Sequence, residues 1–178
     1  MGASRAERRA REIIDRIKPD YPVDVDAIAQ AYAVAVQRQD LEDEVSGILV
    51  IKGERIVIAV NAEHHPHRQR FTIAHELGHY LLHRETSSVF IDVTTVFFRD
   101  QRSSEGTEWQ EIEANAFAAE LLMPVVALTA TLREHVGNHL LDELDDAIIH
   151  RLAAQFGISI QALTVRLVRL GLITMQQP

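Results

Sequence analysis

Two histidines four positions apart with a glutamate after the first, in the run His75-Glu76-Leu77-Gly78-His79, are the residues of this chain best suited to chemistry. On a helix, residues i and i+4 stack on one face, so His75 and His79 turn their imidazoles to a common point with the Glu76 carboxylate beside it. Such a pair can grip zinc, which lowers the pKa of a bound water to about 7, and the carboxylate can take that water's proton as it attacks a carbonyl. This is the pattern of a zinc hydrolase with Glu76 as general base. Because the chain has nine histidines, chance could produce the pattern, and its setting decides its weight. Phe71-Thr72-Ile73-Ala74 before it and Tyr80-Leu81-Leu82-His83 after it are apolar and free of proline, as a buried helix requires. Gly78 costs a helix interior about 1 kcal/mol relative to alanine, so another backbone or a substrate is expected to pass close by. The bland alternative is a core helix whose histidines are merely hydrogen-bonded.

A catalytic zinc takes three protein ligands and keeps one position open, so a third ligand must come from elsewhere. The chain has no cysteine, which leaves histidine and carboxylate as donors. Glu111 and Glu113, in Glu111-Ile112-Glu113-Ala114-Asn115, are the best candidates. At helical spacing Glu111 lies above Ala114, Asn115 and Ala118, a face of small residues that lets another helix approach, whereas Glu113 lies above Phe117 and Glu120. Packing therefore favours Glu111, with Glu113 as the alternative and solvated helical charge as the ordinary fate of either. His83, one turn beyond His79, cannot reach the same ion from a straight helix and is expected to pack or to support the ligands. His64, His65 and His67 belong to a polar surface loop, and Arg68 and Arg70 are expected to form structural ion pairs.

The elements that must position these residues follow from patterning. Ser4 to Lys18 reads as an amphipathic helix that stops at Pro19, and Val25 to Tyr32 as a second short helix. Gly47 to Ile51 and Arg55 to Val60 are β-branched runs separated by Lys52-Gly53-Glu54, a hairpin, and Val89 to Phe98 is a third candidate strand. Arg99 to Glu108 reads as a polar surface loop. Trp109 to Met123 is helical up to Pro124, Val125 to His135 is helical again, and Gly137 breaks the pattern. Residues 140–172 resemble a helix-turn-helix pair, with Ser159 as cap of its second helix. Gln161, Thr164 and Arg166 are available there for base contacts, but basic residues are few, so packing or partner docking is favoured over DNA. The fold class expected is α+β: one domain over 1–178, with an N-terminal helix in 1–20 and a small sheet beside the His75–His79 helix.

Eighteen Lys and Arg against twenty-six Asp and Glu give a formal charge of −8, which opposes broad attraction to nucleic acid. Met1 to Lys18 is charged and no apolar stretch is long enough to span a bilayer, so no membrane role and a cytoplasmic location are expected. The absence of cysteine agrees with a reducing compartment.

Two blocks, Arg68 to His83 and Glu111 to Pro124, together resemble the ImmA/IrrE-type metallopeptidases, and the resemblance in organisation extends over Val25 to Leu172. It implies a zinc-dependent protease with a gluzincin-like site: His75, His79 and Glu111 as metal ligands, one Zn2+ per chain and Glu76 as the catalytic base. It also implies a protein substrate, a helix-turn-helix repressor of the Xre type, whose cleavage relieves repression in a stress or mobile-element response. The rival reading is a regulator that sequesters or remodels such a repressor without cutting it, with zinc as a structural element. A third, DNA binding through Gly157 to Arg166, is opposed by the charge.

Overall fold

A computed structural model describes residues 4–93, 105–136 and 146–173. Among them are seven helices and four strands: α1 (Arg5–Ile17), α2 (Val25–Ala31), β1 (Val34–Gln39), β2 (Val45–Lys52), β3 (Arg55–Asn61), α3 (Pro66–His83), β4 (Val89–Val93), α4 (Glu105–Leu122), α5 (Val125–Val136), α6 (Asp146–Phe156) and α7 (Ile160–Arg169). The fold is α+β, as expected.

Local chemistry starts and stops these elements. Ser4 and Glu7 form a capping box at α1, which buries Ala6, Ala10 and Ile13 along one stripe. Asp24 caps α2 by accepting from the Ala27 amide, and His65 Nδ1 accepts from the His67 amide ahead of Pro66 at the start of α3. Ser159 caps α7 in the same way. The hairpin pairs β2 with β3 in antiparallel register, with Leu49 opposite Ile58.

The sheet order is β1-β3-β2-β4, with β1 parallel to β3 and β4 antiparallel to β2. β1 carries no element in the sequence reading, and its composition explains why. Gln37, Arg38 and Gln39 are exposed on an edge strand, so Val34–Gln39 lacks the apolar alternation of a half-buried one. Of the expected third strand, Val89–Val93 is β4 and residues 94–98 lie outside the described residues. The loop expected over Arg99 to Glu108 is corrected in part, because residues 105–108 already belong to α4. Gly106 misled the reading: it falls in the first turn, not in the interior where glycine is costly. Residues 99–104, Gly137 and residues 140–145 lie outside the described residues.

α3 is the centre of the molecule. Every residue from Thr72 to His79 is buried, because the sheet covers one side of the helix and α4 the other. Gly78 is what lets α4 come so near: a Cβ there would lie 3.1 Å from Phe117 Cδ1 and 3.2 Å from Ala114 Cα. The sequence expectation that another backbone passes Gly78 is met by Ala114. α1 packs on the α4 side, and a buried network fastens α1, α4 and α7 together. Glu120 accepts from Arg11 Nε at 2.7 Å and from Arg166 Nη2. Arg166 is thus an interior residue, which corrects its expected availability for DNA. Thr164 returns its hydroxyl to the Ile160 carbonyl, leaving Gln161 as the exposed member of the three.

Arg70 also departs from expectation. It donates through Nε to the Gly157 carbonyl at 3.1 Å and through Nη2 to the Val23 carbonyl at 2.8 Å, tying α3 to the α6–α7 turn and to the segment before α2. These hydrogen-bond partners are main-chain carbonyls, where a carboxylate was expected. Arg68 donates to Ser46 Oγ at 2.8 Å.

Candidate metal centre

α3 turns His75 and His79 to one side, toward Glu111 on α4. His75 Nε2 lies 3.2 Å from Glu111 Oε2, His79 Nε2 lies 3.2 Å from Glu111 Oε1, and the two Nε2 atoms are 3.0 Å apart. Ligand atoms bonded to zinc at about 2.0–2.1 Å in a tetrahedron stand roughly 3.3 Å apart, close to each of these distances, and with one ligand atom from each residue all three lie within 4.8 Å of one another. The three residues form a group that could hold a metal ion. His75 and His79 are almost fully enclosed, while the Glu111 side chain is 45% exposed, so the site opens to solvent on the Glu111 side. Electrostatics bind the triad further. Although burial opposes it, hydrogen bonding and charge from both histidines hold the Glu111 carboxyl well below the usual carboxylate range. Burial, together with His75 and His83, lowers His79.

Glu76 is wholly buried beside this group, and neither of its oxygens has a hydrogen-bond partner among the described residues. An unpartnered buried carboxylate is costly, and the cost shows in its protonation: burial, aided by Asp92 and Glu111 and opposed by His75, pushes Glu76 up to about 8. A divalent cation held by the neighbouring triad would favour the ionised form again. The donor set and the orphaned carboxylate therefore both fit a metal site.

Asn115, one turn after Glu111, has Oδ1 3.2 Å from His75 Nδ1, where it can accept the ring proton and leave Nε2 free. α4 thus supplies both a carboxylate for the triad and an amide that orients one of its histidines. The sequence reading used Asn115 only as a small neighbour of Glu111; the i+4 rule that paired the histidines would have found its second part.

The sheet contributes residues that no local spacing reveals. Phe90 on β4 stacks on the His79 ring with centroids 4.6 Å apart, and Asp92, two residues on, acts electrostatically on both His75 and Glu76. Asp92 is paired with Gly47 on β2. A Cβ at Gly47 would run into Thr72 Cγ2 and come within 3.4 Å of Glu76 Oε1, so glycine is what allows β2 to lie against the reactive end of α3.

Glu113, the alternative third ligand, is buried and faces away from the triad, with Oε2 3.0 Å from His83 Nε2. His64 Nε2 lies 3.3 Å from the Asp43 carbonyl and His65 caps α3, so neither joins the group.

A protein of Bacillus phage phi105, named "uncharacterized immunity region protein 2", is 28% identical over 114 residues, covering 64% of this chain. The match spans 65% of that relative's own length. Residues 29–168, which carry β1 to β4, the triad, Glu76 and all but the last residue of α7, match the IrrE N-terminal-like domain, a peptidase family designated M78. The chain belongs to that family of ImmA/IrrE peptidases.

Proposed function

We propose that this chain is a zinc-dependent endopeptidase that cuts a helix-turn-helix repressor of the Xre type and so relieves repression. The observation that carries the reading is the convergence of His75, His79 and Glu111 beside the buried carboxylate of Glu76, which has no hydrogen-bond partner among the described residues, in a chain of a peptidase family. The immunity-region relative, from a phage, supports a setting of repressor control in a mobile element or stress response. A repressor acts where the DNA is, so the reaction would take place in the cytoplasm.

His75, His79 and Glu111 would hold the ion, with Asn115 keeping the His75 ring turned toward it. Zinc there would supply Lewis acidity, polarising the scissile carbonyl and acidifying the attacking water. Glu76 takes a proton from that water as its oxygen adds to the carbonyl carbon, and delivers it to the amine when the C–N bond breaks. The open Glu111 side offers the peptide its way in, and the closed sheet side keeps bulk water from Glu76.

Incubation of the zinc-loaded chain with a purified Xre-type repressor tests this. Discrete fragments whose formation stops with chelator and resumes with added zinc are expected; repressor left intact by zinc-loaded chain that binds it would contradict cleavage. The rival, sequestration without cutting, draws on α7, whose Ile160 and Val165 are 40% and 50% exposed apolar residues beside Gln161. Relief of repression that persists in Glu76→Gln with no fragment formed would favour it.

The protonation of His75 sets a pH dependence. Burial disfavours its charge, but the Glu111 hydrogen bond and the negative charges of Glu76 and Asp92 outweigh burial and raise it to about 9 in the metal-free chain. Below that pH zinc must displace a proton, so its apparent affinity should rise by about tenfold per unit as pH increases and level off above about 9. Competition titrations with a chelator of known pH behaviour read this slope; a flat profile between pH 6 and about 9 would contradict it.

A further inference from the structure

We infer that His83 and Glu113 form a positioning pair behind His79, holding its ring through Nδ1 so that Nε2 meets the metal. This rests on the reading of His79 as a metal ligand. Behind His79, on the side away from the triad, its Nδ1 lies 3.4 Å from His83 Nδ1, and His83 Nε2 lies 3.0 Å from Glu113 Oε2. His83 and Glu113 are 5% and 7% exposed, so neither has bulk water as a substitute partner. Ligation by His79 gives these contacts one direction. A ligating Nε2 gives its lone pair to the metal, so His79 then carries its hydrogen on Nδ1, and the atom facing it is His83 Nδ1, which accepts. His83 in turn carries its own hydrogen on Nε2, facing the Glu113 carboxylate oxygen, which accepts.

The two histidines of the triad are therefore held by different means: His75 by the Asn115 amide, and His79 by a buried imidazole anchored on a carboxylate. Phe90 fixes the His79 ring from its flat face, while His83 fixes it in its plane. Supporting partners of this kind are worth about 10- to 100-fold in metal affinity. The arrangement also gives Glu113 a role other than ligation.

Two measurements on the full chain test the proposal. In the zinc-loaded wild type, nitrogen-15 chemical shifts should show His83 protonated at Nε2 and bare at Nδ1; a His83 that carries its hydrogen on Nδ1 would overturn the proposal. Zinc affinity, measured by chelator competition, should fall by about 10- to 100-fold in His83→Leu. It should largely recover in His83→Gln, whose amide can accept from His79 and donate to Glu113. A merely structural role would favour the apolar leucine at least as much as glutamine, so affinity unchanged in His83→Leu, or no better in His83→Gln, would overturn the proposal. Failure of the wild type itself to bind zinc would overturn the reading of the triad, and the proposal with it.

Discussion

Glu76→Gln is expected to abolish peptide hydrolysis while leaving zinc bound. The triad that would hold the ion is His75, His79 and Glu111, so the substitution removes no ligand. Glutamine fills the same enclosed space against Thr72 and Gly47, but its amide cannot take a proton from water at neutral pH. General-base catalysis is worth typically about 10²- to 10⁴-fold, and a loss of that order is expected. The same change removes a carboxylate that burial has already pushed up to about 8, so the folded chain should be no less stable for it. Cleavage rate and zinc content measured on one preparation separate these effects. A variant that cuts within tenfold of wild type would remove Glu76 from the mechanism.

Glu120→Ala should damage the fold severely. Glu120 is 1% exposed and joins Arg11 of α1 to Arg166 of α7, and Arg166 is itself 4% exposed. Without the carboxylate, a guanidinium is left inside the protein, with Glu7 at 3.8 Å as its remaining counter-charge among the described residues. Breaking a buried pair by removing one partner costs about 3–5 kcal/mol, a large share of the roughly 5–15 kcal/mol that holds a domain folded. For a chain of this size the melting temperature should fall by roughly 6–20 °C. Thermal unfolding followed by circular dichroism measures this, and a fall under about 2 °C would show that the network contributes little to stability. Glu120→Gln, whose single amide oxygen can keep only one of the two guanidinium hydrogen bonds, should fall between Glu120→Ala and the wild type.

The parts of the fold legible from sequence were those whose information is local. α3 announces itself through an apolar run around two histidines at helical spacing, and the hairpin through β-branched runs either side of Gly53. Glu111 was favoured because Ala114 and Ala118 on its face promised close approach, and Ala114 does lie against Gly78. What escaped depends on pairings distant in sequence. Asp92 and Phe90 reach the triad only because β4 pairs with β2, and β1 is a strand only because β3 gives it a parallel neighbour. Arg166 shows the opposite failure. On a segment patterned like a recognition helix it looked available, yet Glu120, 46 positions earlier, draws it into the core. Glu113 looked like a rival ligand or a solvated charge, and His83, on another helix, makes it neither.

Zinc content of the chain beside its Glu111→Ala and Glu113→Ala variants tests the central claim most directly. One zinc per chain that is lost with Glu111→Ala and retained, though more weakly held, in Glu113→Ala is the predicted result. A wild type that takes up no zinc when loaded, or zinc that stays with Glu111→Ala and leaves with Glu113→Ala, would contradict the assignment of the site.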